Sequence, residues 1–158
     1  MAQKIKTFLW FDSQAEEAAN LYTSLFENSE VTKISYYGPA GPQPAGTVMT
    51  VEFTLDGVEY IALNGGPHFK FNEAISLSID CQSQEEVDRL WDKLTEGGEP
   101  GPCGWLKDRF GLSWQVVPSA LPRMLSDPDP ERANRVMSCM LQMSKIEIAE
   151  LQKAYDAA

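Results

Sequence analysis

The chain has 158 residues, 43% of them hydrophobic, and carries 13 Lys and Arg against 23 Asp and Glu for a formal net charge of -10. That length suits a single domain with a sizeable core, and the charge argues against nucleic acid or an anionic membrane as the main partner. Three cysteines without paired spacing, no apolar leader after Met1 and no run of membrane-spanning length lead to the expectation of a cytoplasmic protein with free thiols; no CxxC or HxxxH spacing points to structural zinc.

Phe8 to Asp12 reads as a strand, and Ser13 with Glu16 as a capping box that opens an amphipathic helix through Leu21, Tyr22 and Leu25. A strand is expected at Val31 to Tyr37, followed by a Gly38 to Gly46 loop with three prolines. Thr47 to Leu55 then turns at Asp56-Gly57 into Val58 to Asn64, a hairpin. Beyond Gly65-Gly66-Pro67 the chain repeats itself. Ile75 to Asp80 matches the first strand, and Ser83-Gln84-Glu85-Glu86 with Leu90, Trp91 and Leu94 restates the capped helix with one residue dropped. Gly104 to Arg109 turns at Phe110-Gly111 into Leu112 to Val117, a second hairpin, and the counterpart of the Val31 strand and its loop is expected to be missing. A repeat this long gives two large half-units, not a solenoid.

The tail departs from that plan. A short helical piece is expected near Ala120 to Ser126, then a helix capped by Asp129-Pro130 with Ala133, Val136, Met137, Met140 and Leu141 on one face. Ser144 and Glu147 form a third capping box ahead of a last helix carrying Ile148, Leu151 and Tyr155. Four of the six methionines fall between 124 and 143, suited to core packing or to a subunit contact. The expected class is α+β in one domain: module one over residues 1-66, module two over 73-118, and a C-terminal helical extension over 119-158.

Two βαβββ modules in series, the strings Leu63 to Ala74 and Cys103 to Gln115, and the tail from Met137 to Ala149 resemble the PhnB-like branch of the vicinal oxygen chelate superfamily, which includes glyoxalase I, extradiol dioxygenases and bleomycin-resistance-type proteins. The branch is often labelled 3-demethylubiquinone-9 3-methyltransferase, and the resemblance covers nearly the whole chain. It implies a curved, partly open, barrel-like mixed sheet. It also implies modules paired about a two-fold axis, so a homodimer is expected, through the 130 to 143 helix or the strands near Thr47 to Phe53. In metal-dependent members, His or Glu from the first and last strands of each module hold a divalent ion. The matching stretches here offer Lys6, Thr7 and Phe8; Leu63 or Asn64; Ala74, Ile75 and Ser76; and Gln115, a poor set for a transition metal, so neither metal nor cofactor is expected. The methyltransferase label meets a similar obstacle. Phe8 to Asp12 runs into its helix without a Gly-rich loop, and Gly65-Gly66-Pro67 leads into extended-looking Phe69-Lys70-Phe71, so the glycine pair reads as a crossing between modules.

Period-two alternation sends Leu9, Phe11, Leu77 and Ile79 under the helices and Phe8, Trp10, Ser76 and Ser78 toward a cleft. Tyr60, Phe71, Trp105 and Trp114 add aromatics and Asn64 a polar group, with the core as the competing explanation for most of these rings. His68, the only histidine, lies on a loop, and with Gln115 forms the candidate catalytic pair. Arg109 is a candidate anion anchor, and Cys103 reads as a plain loop thiol. Two function classes follow. One is a protein that binds a small, planar or aromatic molecule between its rings; the other is an enzyme on a small molecule, metal-independent if His68 and Gln115 converge, or metal-dependent of the isomerase, lyase or dioxygenase type.

Overall fold

The computed structural model, described for residues 3–157, divides into two compact units that join in sequence at Phe71 and Asn72. In the first, β1 (Thr7–Phe11) leads to α1 (Ala15–Leu25), then β2 (Glu30–Tyr36), β3 (Val48–Leu55) and β4 (Val58–Asn64). The sheet runs in the order β1-β4-β3-β2, with β1 parallel to β4 and the other pairs antiparallel. Asp56 at φ 49 and Gly57 at φ 80 make the two-residue turn that the Asp-Gly pair announces, because both central residues of such a turn need positive φ. Every second strand residue is buried on the side of α1: Leu9, Phe11, Val51, Phe53 and Ala62 meet Ala15, Ala18, Ala19, Tyr22 and Leu25. Each large side chain buried there contributes roughly 1.5–3 kcal/mol. The strands near Thr47 to Phe53 belong to β3, which has a neighbour on each side, so they are no open edge; the edge strands are β1 and β2.

The cap of α1 corrects the expectation placed on Ser13. The helix starts after Gln14 without a local side-chain cap, and Ser13 is exposed. The buried Asn64, paired with Phe11 at the end of β4, accepts the Ala15 amide on Oδ1 at 2.8 Å and donates from Nδ2 to the Val48 carbonyl at 3.1 Å. Parallel pairing brings the end of β4 beside the start of α1, so a residue 49 positions away supplies the cap.

The second unit repeats the plan with β5 (Ser76–Cys81), α2 (Gln84–Thr95), β6 (Glu99–Pro100), β7 (Trp105–Lys107) and β8 (Ser113–Pro118), in the order β5-β8-β7-β6. The strand expected to be missing is present, cut to two residues, and pairs with β7 through Glu99 and Pro100. Here the capping box holds: Ser83 accepts the Glu86 amide, and the Glu86 carboxylate accepts the amide of Gln82. Val87, Leu90, Trp91 and Leu94 form the buried stripe of α2.

Three helices follow: α3 (Ala120–Leu125), α4 (Pro130–Met140) and α5 (Ile148–Asp156). Asp129 caps α4 as expected, accepting the Glu131 amide ahead of Pro130. The third capping box does not form. Gln84 of α2 accepts the Ile148 amide at 2.7 Å and donates to the Ile146 carbonyl, while Ser144 donates its hydroxyl to Gly101. Leu121, Met124, Val136, Ile146 and Leu151 form a small core that Met140 and Met143 help to cover, so most of the methionine stripe is packing; Met137 and Leu141 are exposed. Among the described residues no helix is long and apolar enough to cross a membrane.

Candidate functional site

The helix-free face of the first sheet carries Phe8 and Trp10 of β1 beside Ile61 and Leu63 of β4. Phe8 is 57% exposed. Trp10 is held: its indole N–H donates to the Gly66 carbonyl at 2.9 Å, Phe69 meets it edge-on with centroids 4.8 Å apart, and the ring covers Gly65 so closely that no Cβ fits there. Thus Gly65 makes room for an indole, while Gly66, at φ +93, supplies the carbonyl that holds it. Phe71 is spent on an edge-on contact with the buried Phe11, centroids 5.2 Å apart. Tyr60 and Asn64 belong to the opposite, helix-covered face, because Ile61 and Leu63 take the alternate positions of β4. Tyr60 stacks on Phe53 at 5.6 Å, and burial raises its phenol pKa. With both ends of the Asn64 amide bound to backbone, these two residues serve the scaffold in place of the ligand contacts expected of them. His68 is exposed just after the bend, its ring close to Gly66. It belongs to the first unit and Gln115 to the second.

In the second unit the faces are set by the hairpin register. A two-residue turn at Phe110-Gly111 would place Trp105 and Trp114 together, but β7 and β8 pair Trp105 with Gln115, Leu106 with Trp114 and Lys107 with Ser113, across a loop from Asp108 to Leu112. The cause is Asp108, 3% exposed. Its Oδ1 accepts the amides of Phe110 and Leu112 at 2.9 and 3.0 Å, and its Oδ2 accepts the indole N–H of Trp114 at 2.9 Å. The one-residue shift sends Trp114, 2% exposed, into the core and leaves Trp105 on the helix-free face. Trp114 is therefore a core residue rather than a ligand contact. Arg109 extends from the loop over the Phe110 ring at 5.2 Å, while Lys107 takes the place on the sheet.

That face holds a cleft of about 510 Å³. Trp105, Pro100 and Pro102 supply apolar walls, and Lys107, Glu73, Glu99, Cys103 and Ser113 the polar groups. Lys107 is ion-paired with Glu73, which lowers the carboxyl pKa of Glu73 and raises that of the ammonium. The rim is fastened to the tail: Cys103 and Gly104 donate their amides to the Met143 and Ser144 carbonyls, each at 2.8 Å. Gly104, at φ +85, lies against the Val116 carbonyl and Ile146, where a side chain would collide. Cys103 itself adopts φ 58, a left-handed conformation that costs a non-glycine residue energy. The Ser113 hydroxyl is buried and has no hydrogen-bond partner among the described residues. Beside the cleft, Gln115 donates to the Ser76 hydroxyl at 3.0 Å. Lys107, Glu73, Glu99 and Ser113 are the residues that reading the sequence missed; the register of the hairpin was the signal that would have grouped them.

The side chains on the helix-free faces of the strands include Phe8, Trp10 and Leu63 in one sheet, and Ser76, Ser78 and Gln115 in the other. Rings, a leucine, hydroxyls and one neutral amide do not fit a divalent transition metal. Among the described residues no three His, Cys, Asp or Glu side chains gather closely enough to hold an ion. A methyl-donor nucleotide fits no better, since β1 passes into α1 through Asp12, Ser13 and Gln14, with no glycine to let the backbone approach a phosphate.

The sequence profile of the family described as 3-demethylubiquinone-9 3-methyltransferase matches residues 3–117. Among solved structures, a PhnB protein from Bacillus cereus that carries the same description is 40% identical over 74% of this chain and 100% of its own, with a TM-score of 0.67. A protein from Pseudomonas aeruginosa shares the fold at 22% identity, covering 74% of this chain and 98% of its own with a TM-score of 0.61. The fosfomycin resistance protein FosX from Listeria monocytogenes does so at 15% identity, 75% and 94% coverage and a TM-score of 0.51. No curated protein matches the sequence. On its profile match and its identity to the Bacillus protein, the chain belongs to the 3-demethylubiquinone-9 3-methyltransferase (PhnB-like) family.

Proposed function

We propose that the protein binds a small planar organic molecule in the cleft of its second unit, against Trp105, without a catalytic metal. The observation that carries this reading is the cleft itself: about 510 Å³, walled by Trp105 and prolines, with a buried hydroxyl that lacks a partner. Small-molecule sites share that make-up, a mostly apolar concavity of some 300–1,000 Å³ with a few placed polar groups. The absence of suitable ligands on the strands supports the metal-free part. An enzymatic variant draws on Cys103, whose strained backbone stands at the cleft wall.

Calorimetry of a panel of bicyclic aromatic compounds tests the reading. Trp105→Ala should weaken those that bind by about tenfold, the loss of one ring-stacking contact. Binding unaffected by Trp105→Ala would remove the cleft from consideration, and turnover of a bound compound would move the reading to a metal-independent enzyme. Homodimerisation belongs to the same proposal: β2 is an edge strand with largely exposed residues, and open edges call for cover. A monomer mass by light scattering at micromolar concentration discards it. Three free cysteines, Cys81, Cys103 and Cys139, suit a cytoplasmic setting.

A further inference from the structure

We propose that the ligand of this cleft carries a carboxylate, which replaces that of Glu73 on Lys107 and reaches the Ser113 hydroxyl, so that Glu73 is an internal competitor for the site. The inference rests on the small-molecule reading above. Lys107 and Ser113 are direct cross-strand partners, so both side chains leave the sheet on one face, their Cβ atoms about 5 Å apart, and both line the cleft. The Lys107 ammonium already holds one carboxylate, which shows what chemistry the position accepts. The hydroxyl has no partner among the described residues, and a buried hydroxyl left so is costly until one arrives.

Glu73 is suited to leave. It lies on the irregular segment ahead of β5, its side chain is 60% exposed, and exposed ion pairs contribute little net stability. Glu99, the other carboxylate beside Lys107, is fixed in β6 as its cross-strand partner. Exchanging Glu73 for a ligand carboxylate therefore leaves the charge around Lys107 unchanged. A neutral ligand gains only a single hydrogen bond from the ammonium, without the charge pairing. Trp105 lies two residues before Lys107 on the same face, roughly 6.7 Å along the strand. Both line the same cleft, so a fused-ring aromatic acid can stack on the indole with its carboxylate turned toward the ammonium.

Calorimetry with 2-naphthoate and its neutral amide, 2-naphthamide, decides the matter, with circular dichroism to verify that each variant is folded. Naphthoate should bind more tightly than the amide. Lys107→Met should weaken naphthoate by about tenfold or more and the amide by much less, and Ser113→Ala should weaken naphthoate several-fold. Glu73→Gln should do the reverse, tightening naphthoate by about three- to tenfold because the competitor is gone. Equal binding of both probes, insensitive to Lys107→Met and Glu73→Gln yet weakened by Trp105→Ala, overturns the carboxylate and keeps the small-molecule site. A preference for 2-naphthylmethylammonium also overturns it, and no binding by any of the three probes discards the inference and the cleft together.

Discussion

Helices α1 and α2 open with nearly the same letters, Ser13-Gln14 and Ser83-Gln84 followed by a Glu pair, and are capped in different ways. In α2 the local motif does the work: Ser83 takes the Glu86 amide, and the helix would be closed at that end even if separated from its sheet. In α1 Ser13 stays in solvent while Asn64 reaches in from β4, its side-chain amide tied to Val48 and its backbone carbonyl accepting the Tyr37 hydroxyl at 2.5 Å. A short motif states that a helix end must be satisfied. Tertiary packing decides by whom. The buried amide ties α1 to two strands, which a solvent-facing serine could not do.

The largest expected effect lies at the second hairpin, where one residue of register separates two tryptophans. Trp114→Ala should destabilise the protein by about 3–5 kcal/mol in urea unfolding, the cost of emptying a large core position, whereas Trp105→Ala should cost under about 1 kcal/mol. Similar costs for the two would mean that they share a face. Next come the caps. Asn64→Ala, which strands a buried helix amide and a strand carbonyl, should cost about 2–3 kcal/mol, Ser83→Ala about 1 kcal/mol, and Ser13→Ala within about 0.5 kcal/mol of nothing. A Ser13→Ala loss equal to that of Ser83→Ala would erase the contrast between α1 and α2. Gln84→Ala, which removes the cap of α5, should cost about 1 kcal/mol and speed exchange of the Ile148 amide with deuterium.

The smallest effect at neutral pH concerns Cys81, which closes the buried face of β5. Burial first, then Glu86 and Asp80, push its thiol up to about 12. An unfolded chain releases that proton nearer 8.5. The stability linked to it is therefore complete below that value and declines as pH rises toward about 12. Iodoacetamide at pH 8 should alkylate the half-buried Cys103 and Cys139 well before Cys81, as read by peptide mass spectrometry. Modification of all three at one rate would contradict the burial of Cys81.

How much the sequence reveals follows from where each instruction is written. The repeated strand-helix-hairpin plan is legible because it depends on period and on turn residues such as Asp56-Gly57, and the cap at Asp129-Pro130 is legible because its partners are two residues away. β6 is invisible, since two residues carry no alternation. The hairpin register is hidden because it hangs on a single carboxylate, Asp108, that binds two amides and an indole. That hidden shift is also why Trp114 looks like a ligand contact and Lys107 like a strand-end charge. The caps of α1 and α5 come from Asn64 and Gln84, and no local window contains both donor and acceptor.

The rim from Gly101 to Gly104 is held by Met143 and Ser144, and the Ser144 hydroxyl is 43 residues from the carbonyl it binds. During synthesis the ribosome delivers the two halves of that clasp in sequence. At 5–20 residues per second the rim waits roughly two to nine seconds for its fastening, while the first unit already has all of its strands. For that interval the Cys103 amide lacks the Met143 carbonyl that it binds in the finished chain. A released chain ending between residues 118 and 142 would contain the residues of both sheets but neither Met143 nor Ser144, so the rate at which its Cys103 is alkylated, set against the full chain, reads out what the clasp contributes.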